Sequence, residues 1–129
     1  MQRELVLTVN VIIGDTLSVS GHTRSVSMVA FTGTAEGRLF TGSVVGTGYD
    51  RQLFSKDGSC SLSARYILKG IDTDGCECSI FIESNSLSDG TVKPMIATDS
   101  KALAFLESCE LVSEIEPHGN DVTIKIYKI

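Results

Sequence analysis

The chain has 129 residues, a formal charge of −5 and a sequence pI near 4.9. That length suits one domain with its own core, 1–129, and 42% hydrophobic with 21% charged residues is globular rather than disordered composition. An acidic chain without a basic run excludes a nucleic-acid backbone binder, so no nucleic-acid partner is expected.

The longest apolar run, LVLTVNVII at 5–13, is too short to span a bilayer as a helix and no small-residue cleavage site follows it. Neither a membrane nor a secretory leader is expected. With four cysteines and no leader, the expected location is cytoplasmic.

Residues 5–13 read as a strand with alternate residues Leu5 to Ile13 on one face. Gly14-Asp15 reads as a turn and 16–20 as another short strand. A strand over 25–35 places Ser27, Val29 and Phe31 on one face, with Gly33 at a bend or bulge. Glu36-Gly37 turns the chain into a strand at 38–45, and Gly46-Thr47-Gly48 leads into a central meander.

That meander holds strands at 51–54, 59–69 and 76–84, separated by turns ending in Asp57-Gly58 and Asp74-Gly75. Asp-Gly between alternating runs marks a hairpin, because glycine takes positive φ without steric cost. Within it, Cys60, Leu62, Ala64, Tyr66 and Leu68 share one face, and Ser61, Ser63 and Arg65 the other.

A further strand at 91–97 contains Pro94, which places it at an edge, a bulge or a break. Thr98-Asp99 reads as an N-cap for a helix at 100–107, with Ala102, Leu103, Phe105 and Leu106 at helical spacing. A last hairpin, 109–115 and 122–127, turns at Pro117-His118-Gly119-Asn120. The sum is all-β: an up-and-down antiparallel barrel of about eight to ten strands with one short helix near 99–107, able to plug an end.

The familiar reactive motifs are absent from this sequence. Cys76 and Cys78 leave the same strand face with no second pair, so buried reduced thiols on strand faces are expected rather than a metal site. His22 and His118 sit in loops without metal-binding spacing, and Gly46-Thr47-Gly48 lacks the third glycine of a dinucleotide loop. Neither metal nor cofactor is expected.

Polar residues of the meander remain as the candidate site. Asp50 and Gln52 share a strand face; Arg65 extends from the neighbouring strand; Glu83 and Asn85 lie near the end of the next. Turned into a barrel, they would supply an acid, a guanidinium and amides, whereas alternation alone favours a solvated outer face for Arg65.

The same residues resemble domain of unknown function 3237, also catalogued as uncharacterised protein family 0311. The similarity rests on Glu36-Gly37, Gly42-Ser43-Val44, the segment Gly46 to Leu53, Asp57-Gly58, Leu62-Ser63-Ala64-Arg65-Tyr66, the segment Ile80 to Asn85, the segment Pro94 to Asp99, and Ile126-Tyr127-Lys128-Ile129. Arg51 stands where the family has tryptophan, Ser63 where it has aspartate, and the family asparagine aligns with Ser84 or Asn85. The resemblance implies a calycin-like β-barrel, a homodimer or larger homo-oligomer, and a pocket at Asp50 and Arg65.

Three functions follow as expectations. One is a barrel binding a small anionic or carbonyl-bearing molecule against Gln52, Arg65, Glu83 and Asn85. Another is a cofactor-free acid–base enzyme, of isomerase, hydratase or cyclase type, with Asp50 moving the proton and Arg65 stabilising negative charge. The third is a structural or assembly protein.

Overall fold

Strand-forming segments occupy most of the chain in this computed structural model, which describes residues 3–129. Nine strands run in order: β1 (Glu4–Ser20), β2 (Arg24–Glu36), β3 (Phe40–Val44), β4 (Gly48–Ser55), β5 (Cys60–Asp72), β6 (Glu77–Ser86), β7 (Val92–Thr98), β8 (Leu111–His118) and β9 (Asp121–Lys128). They form one antiparallel sheet that closes on itself, because β1 pairs with both β9 and β2.

Strands β3 and β4 lie end to end in a single position of the ring, between β2 and β5. The break between them falls at Gly46, whose φ of 64° is open to glycine. Elsewhere neighbours in sequence are neighbours in space, as up-and-down closure requires. The seam between β7 and β8 is the loosest, joined by the single pair Val92–Ser113. Pro94 sits in β7, beside that seam and opposite Ser84, where a missing N–H is tolerated.

Alternation fills one end of the barrel. Val9, Leu68, Ile80, Ile82, Leu103 and Ile126 are almost wholly buried there. The expected helix is instead a short 3₁₀ turn, Ala104–Glu107. Leu103 and Leu106 are buried while Phe105 is exposed, and a three-residue repeat suits 3₁₀ geometry better than an α-helix. The plugging role stands; the helix type does not. Asp72 fastens the plug, accepting from Ser100 Oγ at 2.7 Å and from the backbone N–H groups of Asp74 and Cys76. Asp99 does not cap a helix: its carboxylate accepts from Ser79 N–H.

Gly14-Asp15 is not a turn either. Strand β1 continues to Ser20, and Ile13 pairs with Phe31 while Thr16 pairs with Val29, so two residues oppose one in a bulge. The extra residue reverses the facing pattern. Leu17 and Val19 consequently point outward, each 70% exposed, on a hairpin that extends beyond the pairing of β1 with β9. Gly33, read as a bend or bulge, sits in unbroken register opposite Val11, where a Cβ would meet Asn10 O at 2.1 Å. Among the described residues no helix is long and apolar enough to cross a membrane.

Candidate functional site

The end of the barrel away from the plug is hollow, with a cavity of about 260 Å³. Its walls are the inward positions of the strands: Val11 and Ile13 from β1, Val29 and Phe31 from β2, Leu62 and Ala64 from β5, Val122 and Ile124 from β9. Against this apolar lining stand five polar side chains, Asp50, Gln52, Tyr66, Ser84 and Ser113.

Register fixes how they are arranged. Val29, Asp50, Ala64 and Ser84 are direct cross-strand partners in turn, so they form one belt around the wall. Gln52 lies two residues farther along β4, and its Nε2 donates to Asp50 Oδ2 at 3.2 Å. One step deeper are Phe31, Gly48, Tyr66 and Ile82. Gly48 leaves the space that brings Phe31 and Tyr66 edge to face at 5.4 Å; a Cβ there would lie 2.5 Å from the Phe31 ring.

Two polar groups in the lining lack hydrogen-bonding partners among the described residues, Tyr66 Oη and Ser113 Oγ. Tyr66 is 3% and Ser113 8% exposed. Burial pushes the Tyr66 phenol well above the usual tyrosine range, so it remains an O–H donor. A third such hydroxyl, Ser63 Oγ, belongs to the opposite sheet face and not to this lining.

The sequence-derived set is divided by the barrel wall. Asp50 and Gln52 face the lumen. Arg65, Glu83 and Asn85 do not line it, because Ala64, Tyr66, Ile82 and Ser84 take the inward positions and period-two alternation turns the intervening residues outward. Arg65 pairs with Glu83 on the outer surface, where their side chains are 62% and 26% exposed. The expectation that Asp50 and Arg65 share a pocket is corrected on that ground.

Tyr66 and Ser113 were not singled out from the sequence. The available signal was a hydroxyl at an inward position between apolar neighbours, as Ser113 is between Leu111 and Ile115. The lining contains no lysine, arginine or histidine. The described residues hold no group of three or more histidine, cysteine, aspartate or glutamate side chains able to hold a metal. All four cysteines are free: Cys78 is buried, Cys109 partly so, and Cys60 and Cys76 are exposed at the turn ends of their strands rather than buried in the wall.

The family profile for proteins of unknown function designated DUF3237 matches residues 1–92. The chain belongs to that family. The DUF3237 match covers β1 to β6 and thus Asp50, Gln52, Tyr66 and Ser84, while Ser113 comes from β8 beyond it.

Solved structures share the fold. A protein of unknown function from Clostridium acetobutylicum ATCC 824 is 21% identical with a TM-score of 0.80, over 100% of this chain and 99% of that one. A β-barrel-like protein from Acinetobacter baumannii AYE is 16% identical with a TM-score of 0.76, over 98% and 94%. A protein from Penicillium herquei, described as an enzyme, is 18% identical with a TM-score of 0.74, over 97% and 93%. Among curated proteins, none matches the sequence.

Proposed function

We propose that this DUF3237 protein binds a compact, uncharged small molecule in the barrel lumen. The observation that carries the reading is an apolar cavity with a few convergent polar groups, the usual composition of a small-molecule site. A dry apolar cavity of ~150 Å³ holds benzene, so 260 Å³ corresponds to about ten non-hydrogen atoms. The charge of the wall argues against an anion: it has one carboxylate, Asp50, and no cation to offset a second negative charge. A carbonyl- or hydroxyl-bearing ligand fits where a carboxylate does not.

A second reading, acid–base catalysis without a cofactor, is favoured by Asp50 itself. Its carboxylate stands in the wall of a largely apolar cavity, held by Gln52, in reach of a bound molecule. The description of the Penicillium herquei protein as an enzyme adds to it. Thermal unfolding against a panel of small neutral ketones and phenols tests binding, since a ligand of the native state raises Tm by mass action. No shift across the panel at millimolar concentration refutes the lumen as a binding site.

Assembly completes the proposal. The outward Leu17 and Val19, with half-exposed Val26 and exposed Met28 from the partner strand, make an apolar patch beside the unpaired outer edge of β1. A second copy suits both features, because two antiparallel edges related by a two-fold axis can pair. Sedimentation of Leu17→Lys as a monomer where the parent is a dimer would support it; two identical profiles would refute it. The four free thiols agree with a reducing, cytoplasmic compartment.

A further inference from the structure

We infer that the lumen has a carbonyl-binding pole, formed by Tyr66 Oη–H and Ser113 Oγ–H, that faces the Asp50 carboxylate and selects an enolisable ketone. This deepens the lumen-binding reading and rests on it.

Tyr66 and Ser113 both line the cavity and are more than nine-tenths buried, and their hydroxyl oxygens have no partner among the described residues and almost no accessible surface. Buried polar groups are nearly always satisfied, and one without a protein partner beside a cavity calls for a water or a ligand acceptor. Both are donors, and a small shift of the lining side chains on binding would open them to a ligand oxygen. The third lining hydroxyl, Ser84, lies in the Asp50 belt instead.

Distance along the strands suits the chemistry. Asp50 is opposite Ala64, so Tyr66 is its diagonal neighbour, at about 7–8 Å between Cα atoms. A carbonyl oxygen held by Tyr66 would place the adjacent carbon toward the Asp50 carboxylate. Ser113 lines the same cavity from β8, beside the loose β7–β8 seam.

The step balances without an oxidant or reductant. Asp50 takes the proton from the carbon next to the carbonyl; the C–H pair forms a C=C bond while the C=O π pair passes to oxygen. The enolate oxygen accepts from Tyr66 and Ser113, which stabilises charge that develops only along the reaction. Protonated Asp50 then returns the proton to the same carbon or, in a β,γ-unsaturated ketone, to the γ carbon, which gives the conjugated isomer.

The test compares 1-tetralone with tetralin, which has the same bicyclic skeleton without the carbonyl. Thermal shift gives affinities for wild type, Tyr66→Phe and Ser113→Ala; NMR in D₂O follows deuterium entry beside the ketone. The expected result is tighter binding of ketone than hydrocarbon in wild type. Each substitution should lower ketone affinity by about tenfold, the 1.4 kcal/mol of one hydrogen bond, and leave tetralin unchanged. Deuterium entry should be accelerated by wild type and slowed in both variants. Unliganded Tyr66→Phe should melt no lower than wild type, since the ring contact with Phe31 stays and only an unpartnered hydroxyl leaves. Equal affinities for ketone and hydrocarbon, or a ketone preference kept in both variants, would overturn the carbonyl pole while leaving lumen binding intact. Failure of both compounds to bind would overturn the lumen reading and this inference with it.

Discussion

Filling the cavity from the wall opposite Asp50 separates an empty lumen from a merely irregular core. Val122 on β9 lines the cavity, is half-buried, and stands three strands around the ring from Asp50. Val122→Phe adds four carbons directed into the hollow end. Fully buried, they would be worth about 3 kcal/mol at ~0.8 per carbon. The open mouth leaves about half of that area wet, and side-chain ordering costs about 0.5 kcal/mol, so the net gain is about 1 kcal/mol. For a chain of this length that raises Tm by about 4 °C.

The same substitution should remove the ligand response. At a hundred times Kd a ligand adds ~2.7 kcal/mol to native stability, which is a rise of about 10 °C in wild type. In Val122→Phe the rise should fall below about 1 °C, because the ring occupies the volume the ligand needs. Differential scanning fluorimetry of both proteins, with and without 1-tetralone, reads both quantities. A variant that melts lower than wild type shows that the wall has no room, and an undiminished ligand shift shows that the ligand binds elsewhere. Either result refutes the cavity as the site.

Asp50→Asn keeps the shape of the belt and the contact with Gln52 but removes the base, so deuterium entry into a bound ketone should stop while Tm stays within about 2 °C of wild type; exchange at the parental rate would remove Asp50 from the chemistry. Ile82→Ala, at a position with no exposure, should cost about 2–5 kcal/mol by urea unfolding. Gly48→Ala should lower Tm and move the Phe31 and Tyr66 rings, visible as changes in their NMR shifts, because the added methyl meets both. The hydrogen bond from Ser100 holds the Asp72 carboxyl below its ordinary value of 3.8. Its contribution is therefore complete above about pH 4 and is lost as pH falls through the folded value, so Asp72→Asn should flatten the acid limb of the Tm profile. An unchanged acid limb would show that Asp72 is not what fastens the plug.

Most of the fold could be read from alternation. The meander carries its own register, because Leu62, Ala64, Tyr66 and Leu68 are apolar or aromatic at every second place and Asp-Gly turns fix where each strand ends. The bulge at Gly14-Asp15 could not be told from a turn. Both use the same residues, and the alternation of 16–20 survives either way; only the pairing of Thr16 with Val29 decides. The 3₁₀ plug was misread for a related reason, since Leu103 and Leu106 fit a spacing of three as well as the helical one. The candidate site was half legible. Asp50 and Gln52 were found by polarity, but Tyr66 and Ser113 escape a search for charged groups, because what marks them is a missing partner. That property belongs to the packed structure.

Strand β5 shows why a motif should not be treated as one site. In Leu62-Ser63-Ala64-Arg65-Tyr66, three side chains look into the cavity and two look out. Arg65 and Glu83 form an exposed pair, worth about 0–1 kcal/mol by itself, so the wall loses little if the pair is neutralised. Their cross-strand row on the outer face, Tyr49, Arg65, Glu83 and Met95, is the outside counterpart of the row that Asp50, Ala64 and Ser84 form inside. The two belts interleave on the same strands but cannot touch one ligand. Arg65→Ala should therefore leave the tetralone-induced Tm shift unchanged while Tyr66→Phe reduces it, and the opposite ranking would mean that the ligand sits on the outer face and that the lumen is only packing space.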